Sequence, residues 1–303
     1  MPAALPRRID AGAPGSAALP TIGHVAWIDL ARVVGAVWVV TIHVSAVPAV
    51  QMTTVPRDWW WWALAYDAAS SAAVPLFVML SGAVLLTRPT LDVPRFFARR
   101  ASKLLAPLVG WTLIYAAWGH WRHGNPIDAA AFSRFLIDGL HTPSAIHLWF
   151  LWVIAGLYLL TPLVHPFVAH ATRATQFYVL ALWVAATSVL PSLEQHLGIR
   201  VGLVLEPVAG MVGYYLAGAV LARWTPARLA RGTLTACVAV AVLMVAATMW
   251  GTAWASRGLP HADERFMDSP SITIVGLAIA AFLVLRHLGT AAIHPGSRLA
   301  QWT

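Results

Sequence analysis

Eight long apolar segments constrain this chain more than any other feature of its sequence. Each approaches the ~20 residues that an α-helix needs to cross the hydrocarbon core of a bilayer. Charged residues make up only 11% of the 303 residues, which leaves too little polar surface to coat a soluble globule of this size. We therefore predict an all-α, polytopic transmembrane helical bundle in a lipid bilayer, with spans near residues 25–47, 64–87, 102–118, 146–165, 175–191, 201–222, 233–254 and 271–287.

The basic residues are divided unevenly between alternate connections of these spans. With the N-terminus in the cytoplasm, thirteen Lys and Arg residues fall on the cytoplasmic side and six on the opposite side, and Arg32 stays within the first span. This is the asymmetry that the positive-inside rule describes. We expect a multi-pass protein of the cell inner (plasma) membrane with a cytoplasmic N-terminus. The net charge of +8 then reflects topology and requires no nucleic-acid partner.

The remaining chain offers no second folding unit. Residues 1–23 are rich in Ala, Pro and Gly and lack the apolar core of a signal peptide, so we expect a disordered cytoplasmic tail. The longest connection, about residues 119–145, is too short for a core of its own. Residues 24–303 are therefore predicted to form one transmembrane domain.

Two ionisable side chains in the first span, Arg32 and His43, would not be tolerated by lipid alone. They are eleven positions apart, so a continuous helix places them about three turns, roughly 16 Å, apart on nearly the same face. Asp29, three residues before Arg32, is placed to pair with it. At this distance the two side chains cannot act on one reacting centre, but both can line one long, narrow ligand. The alternatives are a snorkelling arginine and a histidine that bonds between helices.

A basic cluster precedes the third span. Arg99, Arg100 and Lys103 lie near its start, and Arg100 and Lys103 are one helical turn apart, which suits binding of phosphates at the membrane edge. The alternative is a positive-inside anchor, and that interpretation fits Arg88 and Arg95 better.

A third cluster, around His147 and Trp149, opens the fourth span. The spacings of His120, His123 and His141 in the preceding connection offer no compact ligand set, so we predict no metal site. The single cysteine, Cys237, excludes a disulfide framework and a thiolate metal site.

Four stretches in order resemble acyltransferase family 3, the integral membrane O-acyltransferases, and in particular the surface-polysaccharide O-acetyltransferases of bacteria. They are WIDLARVVGAVWVVTIH (27–43) with its R-x10-H spacing, PLFVMLSGAVLL (75–86), FFARRASKLLAP (96–107) and HLWFLWVIAGLYLLTP (147–162). The stretch GYYLAGAVL (213–221) fits more weakly.

The resemblance implies transfer of an acyl group, usually acetyl, from cytoplasmic acyl-CoA as co-substrate to a hydroxyl of a glycan or other extracytoplasmic acceptor, without a bound cofactor. It makes Arg32 and His43 the catalytic pair. It also maps the R-x-x-R motif of the family onto Arg100 and Lys103, where Lys keeps the charge but loses the bidentate fork. Family members carry a further terminal helix or two, so we expect C-terminal spans to be missing from this chain.

On this hypothesis neutral His43 acts as general base on the acceptor hydroxyl, and the sequence does not exclude an acyl-histidine intermediate. Ser81, His147 and Trp149 are candidate donors to the oxyanion. A transporter or flippase with Arg32 and His43 along a polar pathway is the alternative, but the chain holds no second R-x10-H segment.

Overall fold

The computed structural model describes residues 23–122, 133, 148–191 and 207–292, and these ranges are almost entirely helical with no strand. A π-helical turn, Ala185–Val189, directly follows the helix Arg173–Val184, and a 3-10 turn, Glu264–Phe266, lies between the helices Arg231–Ala255 and Ile272–Ala292. The helices are α1 (Gly23–Val50), α2 (Arg57–Ser70), α3 (Ala73–Leu85), α4 (Val93–Arg122), α5 (Trp149–His170), α6 (Arg173–Val184), α7 (Pro207–Trp224), α8 (Arg231–Ala255) and α9 (Ile272–Ala292).

Five helical stretches of the described ranges are long and apolar enough to cross a membrane. One of these five stretches consists of α2 and α3 together. Counting that pair as one span, the described residues hold eight helical spans, in rough agreement with the eight predicted. The predicted all-α membrane fold is therefore confirmed. The expected tail lies almost wholly outside the described residues.

Hydrogen bonds between connections show how the spans alternate. His165 of α5 bonds to the Arg88 carbonyl, and Arg228 donates to the Thr290 carbonyl, so these residues share one side. At the other side, the Ala262 amide donates to the Val50 carbonyl. We call the first the basic side, because it holds the cluster from Arg88 to Lys103, and the second the opposite side.

The span formed by α2 and α3 is broken in its middle. Pro75 has no N–H to donate to the carbonyl of Ser71 four residues earlier, which favours a break at this point. The hydroxyl of Ser70 donates to the Tyr66 carbonyl at 2.6 Å, and that of Ser71 donates to the Asp67 carbonyl at 2.7 Å. These bonds satisfy carbonyls at the end of α2, where the membrane interior offers no water to donate hydrogen bonds to them.

Helices α3 and α7 form the tightest contact in the centre of the described bundle. A β-carbon on Gly82 would collide with the Tyr215 carbonyl, and one on Gly218 would collide with the Met79 carbonyl. Small residues let helix backbones approach closely where the hydrophobic effect does not drive helices together. This contact buries Tyr214 and Tyr215 in the core next to Phe282 of α9.

Side chains on the basic side cap the carbonyl ends of helices. Arg286, which is buried, donates to the carbonyls of Leu221, Ala222 and Thr225 at the end of α7. Arg223 donates to the Val168 carbonyl near the end of α5. Cations at helix C-termini also oppose the negative end of the macrodipole. These arginines therefore fix the ends of α5 and α7 on the basic side.

Candidate functional site

Helix α1 presents Arg32 and His43 on one uncovered strip, as predicted. The helix runs unbroken through Gly35, and both side chains are exposed. Nη1 of Arg32 lies 3.0 Å from Oδ1 of Asp29, so the predicted ion pair is confirmed. Apolar residues fill the strip between and beyond the two ionisable groups, and they are Val33, Ala36, Val37, Val40, Val44 and Val47. The described residues thus leave a track along α1 from Arg32 near the basic side to His43 toward the opposite side.

A cleft of about 680 Å³ brings together the basic residues that precede and open α4. Arg99, Arg100 and Lys103 all line it, so the structure places these three predicted residues in one cavity. It also places Arg88 and Arg95 there, which the sequence had suggested were only membrane anchors. We call this cavity the basic cleft.

The start of α4 contributes both its backbone end and its side chains to the basic cleft. The carboxylate of Asp92 accepts a bond from the backbone N–H of Arg95 at 3.1 Å and so caps the helix. Pro94 in the first turn has the backbone angle that a helix start requires. The helix therefore begins nine residues before the predicted span, and its positive N-terminal end faces the cleft along with five basic side chains.

Arg100 contacts the neighbouring helix α5. Its guanidinium carbon lies 5.6 Å from the centre of the Tyr158 ring of α5, and Phe96 packs edge-on against the same ring at 5.9 Å. One helix turn on, the hydroxyl of Thr161 bonds to that of Tyr215 at 2.8 Å. The stretches 96–107 and 147–162, which carry the resemblance separately in the sequence, therefore meet at Tyr158.

The register between α1 and the broken span places the other candidates. Trp60 bonds to the Ala49 carbonyl, Ser45 bonds to Asp67, and a β-carbon on Gly35 would lie 2.9 Å from the Phe77 ring. By this antiparallel register Ser81 lies level with Arg32, not with His43. Its hydroxyl donates to the Phe77 carbonyl at 3.0 Å. Trp149 is 37% exposed at the first residue of α5, and His147 lies outside the described residues.

Sequence reasoning missed Asp67, a carboxyl that is 3% exposed inside the span of α2 and α3. The hydroxyl of Ser45 donates to its Oδ1 at 3.3 Å, and Ser45 is two residues after His43. An acidic residue within an apolar segment is itself a signal of function, so Asp67 could have been singled out. Tyr158 gave no such signal, because aromatic residues are common in apolar spans.

An apolar groove of about 540 Å³ adjoins the His43 end of the track. It runs between α1 and α2, and its lining includes Val40 and Val44, which flank His43 on the helix surface, and the exposed rings of Trp59 and Trp62. The Arg32 end of the track therefore lies toward the same side of the bundle as the basic cleft, and the apolar groove lies beside the other end. Among the residues that the structure describes, no group of His, Cys, Asp and Glu is arranged to hold a metal ion.

Comparison with known proteins identifies a family. A family model described as an acyltransferase domain, that of acyltransferase family 3, matches residues 25–294, most of the chain. No curated protein and no solved structure matches the chain significantly. The matched range includes the track, the basic cleft and every residue of both that the sequence had predicted.

Proposed function

Because the chain belongs to acyltransferase family 3, a family of membrane acyltransferases, we propose that it moves an acetyl or other short acyl group from acyl-CoA to a hydroxyl of a glycan or another acceptor across the membrane. Acyl-CoA serves as co-substrate and no cofactor stays bound. The basic side is the cytoplasmic side of the inner membrane, where the N-terminus lies and acyl-CoA is available. The acceptor is extracytoplasmic.

The basic cleft is the observation that carries this proposal. Five basic side chains surround a cavity with one carboxylate, Asp92, in its lining, and that carboxylate is engaged in capping α4. The diphosphate of coenzyme A is a dianion, and Arg and Lys side chains together with a helix N-terminus are the groups that bind phosphates in proteins. Arg99, Arg100 and Lys103 are the residues we assign to this binding.

The track on α1 supplies the route from the diphosphate site to His43, where acyl transfer takes place. Pantetheine is a narrow, extended chain, and the roughly 16 Å between the levels of Arg32 and His43 suits such a ligand. Arg32, held by Asp29, anchors the donor near the basic side. The thioester then lies at the level of His43, next to the apolar groove.

His43 acts as the general base at this position. Its imidazole takes the proton from the acceptor hydroxyl while the oxygen attacks the thioester carbonyl carbon. The tetrahedral intermediate collapses with cleavage of the C–S bond, and the imidazolium returns its proton to the thiolate of coenzyme A. Protons balance over the cycle, so no further acid or base is needed. Transfer through an acyl-histidine gives the same products.

The oxyanion of the intermediate requires a donor near His43. Of the predicted candidates, Trp149 is the first residue of α5, at the end of that helix toward the opposite side, and Ser81 lies level with Arg32 by the register described above, whereas His147 lies outside the described residues. We therefore favour Trp149 over Ser81 for the oxyanion, keep His147 as a candidate from the sequence, and assign Ser81 to the donor end of the track.

A radiolabel experiment tests the proposal. Purified protein in liposomes is incubated with acetyl-CoA labelled in the acetyl group and with a series of bacterial glycans, and label is then measured in the glycan fraction. We expect label to be transferred as an alkali-labile ester by the wild type. Movement of intact label into the liposome lumen without ester formation would instead support a transporter.

A further inference from the structure

A second basic cavity lies directly beside the basic cleft. It measures about 450 Å³ and lies where the ends of α3, α5 and α7 meet on the basic side. Arg88, His170 and Arg223 line it together with Thr87, and Arg88 lines the basic cleft as well. We call it the inner-end cavity.

Arg223 is held in a fixed orientation at this cavity. Its Nη1 donates to the carbonyls of Val168 and Ala169, and its guanidinium carbon lies 5.1 Å from the centre of the Trp224 ring. These bonds use Nη1, while Nη2 and Nε carry the other donors of the guanidinium. A pre-oriented planar fork loses less entropy when it binds a phosphate than a mobile side chain does.

The cavity stays positive although helix carbonyl ends surround it. Each helix C-terminus contributes about half a negative charge. The end of α5 is capped by Arg223, and the end of α7 is capped by Arg286, so each of these half charges is met by a full guanidinium charge. Arg88 adds another positive charge at the end of α3. An anion in this cavity therefore meets a net positive field.

We propose that the inner-end cavity binds the ribose 3′-phosphate of the acyl-CoA donor, an assignment that rests on the proposed function. Coenzyme A carries a diphosphate on the 5′ carbon of its ribose and a phosphomonoester on the 3′ carbon, so the two groups require neighbouring basic sites. The shared side chain of Arg88 joins two such sites. The phosphomonoester carries about two negative charges near neutral pH, which match the cations of the inner-end cavity.

The path of the pantetheine arm decides which phosphate occupies which cavity. The arm is attached to the diphosphate and must run toward the membrane interior. The basic cleft is the cavity that reaches farther inward, because the guanidinium carbon of Arg100 in its lining lies 5.6 Å from the ring of Tyr158, which is about two turns deeper along α5 than His165 at the Arg88 carbonyl. The diphosphate therefore belongs in the basic cleft, and the 3′-phosphate, at the far end of the molecule from the thioester, belongs in the inner-end cavity.

The test compares acetyl-CoA with acetyl-3′-dephospho-CoA. Each competes with labelled acetyl-CoA for purified protein in nanodiscs of phosphatidylcholine. We expect the dephospho compound to bind about tenfold more weakly to the wild type, the effect of losing one charge-assisted contact. Equal binding of the two compounds would overturn the site.

Two variants test which residues bind the 3′-phosphate. Arg223→Gln keeps an N–H donor for the Val168 carbonyl but removes the charge, and His170→Gln changes an exposed side chain. Both variants should bring the affinity ratio close to one. Arg228→Gln is the matched control, since Arg228 is an exposed arginine on the same side that donates to the Thr290 carbonyl but lines neither cavity. A ratio that stays near ten in both Arg223→Gln and His170→Gln would assign the 3′-phosphate elsewhere and overturn the proposal.

Two further results separate this inference from its premise. Binding of neither compound, together with no acyl transfer, would overturn the proposed function and the site with it, whereas equal binding with normal transfer would overturn only the site. Adding phosphatidylglycerol to the nanodiscs should leave the ratio unchanged. If adding phosphatidylglycerol abolished the affinity ratio of the wild-type protein, the cavity would be a site for lipid headgroups.

Discussion

The guanidinium carbon of Arg100 lies 5.6 Å from the centre of the Tyr158 ring. This contact and the packing of Phe96 on the same ring join the basic cleft to α5, and α5 in turn bonds to α7 through Thr161 and Tyr215. The contact keeps one arginine of the basic cluster pointing toward the interior of the bundle, while Arg95 and Arg99 are exposed at the surface. It therefore sets the orientation of Arg100 apart from that of Arg95 and Arg99.

Arg100→Ala should raise the KM for acyl-CoA about tenfold, because a charge-assisted contact to phosphate is lost. Tyr158→Leu should produce a smaller rise, since the guanidinium stays but its cation–π contact is lost, whereas Tyr158→Phe should behave like the wild type. The measurement is the dependence of acyl transfer on acyl-CoA concentration. Arg228→Ala serves as the control, and an equal KM in Arg100→Ala and Arg228→Ala would reduce Arg100 to an anchor.

His43→Ala should lower kcat for acyl transfer by about 100-fold or more, the usual range for loss of a general base. Because His43 is an exposed residue of a helix that packs through other faces, the variant should insert and purify normally. His261→Ala, which removes an exposed histidine from the connection between α8 and α9, should keep full activity. Normal acetylation by His43→Ala in membranes would refute the assignment of the base.

Ser45→Ala should destabilise the protein by about 1–3 kcal/mol, because it leaves the buried carboxyl of Asp67 without the hydroxyl that bonds it. Asp67→Asn should cost less, since an amide oxygen still accepts from Ser45. The measurement is the unfolding midpoint in a denaturing detergent, and a cycle of Ser45→Ala with Asp67→Ala, which removes the acceptor, gives the coupling energy. If the two substitutions were strictly additive, the bond would contribute nothing to helix association.

Gly82→Ala and Gly218→Ala should each destabilise the bundle by about 1–3 kcal/mol or more, because the added methyl groups meet backbone carbonyls across the contact of α3 and α7. Gly156→Ala is the matched control. Gly156 is also within a helix, but a β-carbon there meets nothing within 4 Å, so its replacement should be neutral or stabilising by up to about 1 kcal/mol. Equal effects at all three sites would show that helix propensity, not packing, dominates.

The connection between α8 and α9 should lose stability in acid. The side-chain bond from Arg265 at 2.8 Å lowers the pKa of Asp263, against a smaller opposing effect of burial. The folded-state pKa thus lies below the unfolded value of about 3.9, so the stabilisation is complete above that pH and is lost as the pH falls through the folded-state pKa. The stability difference between wild type and Asp263→Asn should be constant at neutral pH and shrink below about pH 4. A difference independent of pH would contradict this.

Local spacing explains what could be predicted. The length of the apolar segments required membrane spans, and the distance of eleven residues between Arg32 and His43 required a shared helix face. The pairing of Asp29 with Arg32 follows from the same helical geometry. The start of α4 was predicted nine residues too late, because its first turns are basic and amphipathic and so fail a test for apolar length.

The tertiary structure alone decided which distant residues share a site. Arg88 and Arg95 looked like membrane anchors in the sequence, and only the folding of their connection against the start of α4 places them in the basic cleft. Asp67 became a partner of Ser45 because α1 and α2 pack in one antiparallel register. Tyr158 meets Arg100 across two helices. Helical periodicity encodes neighbours three or four residues apart, whereas the packing that brings together residues 58 positions apart depends on every span at once.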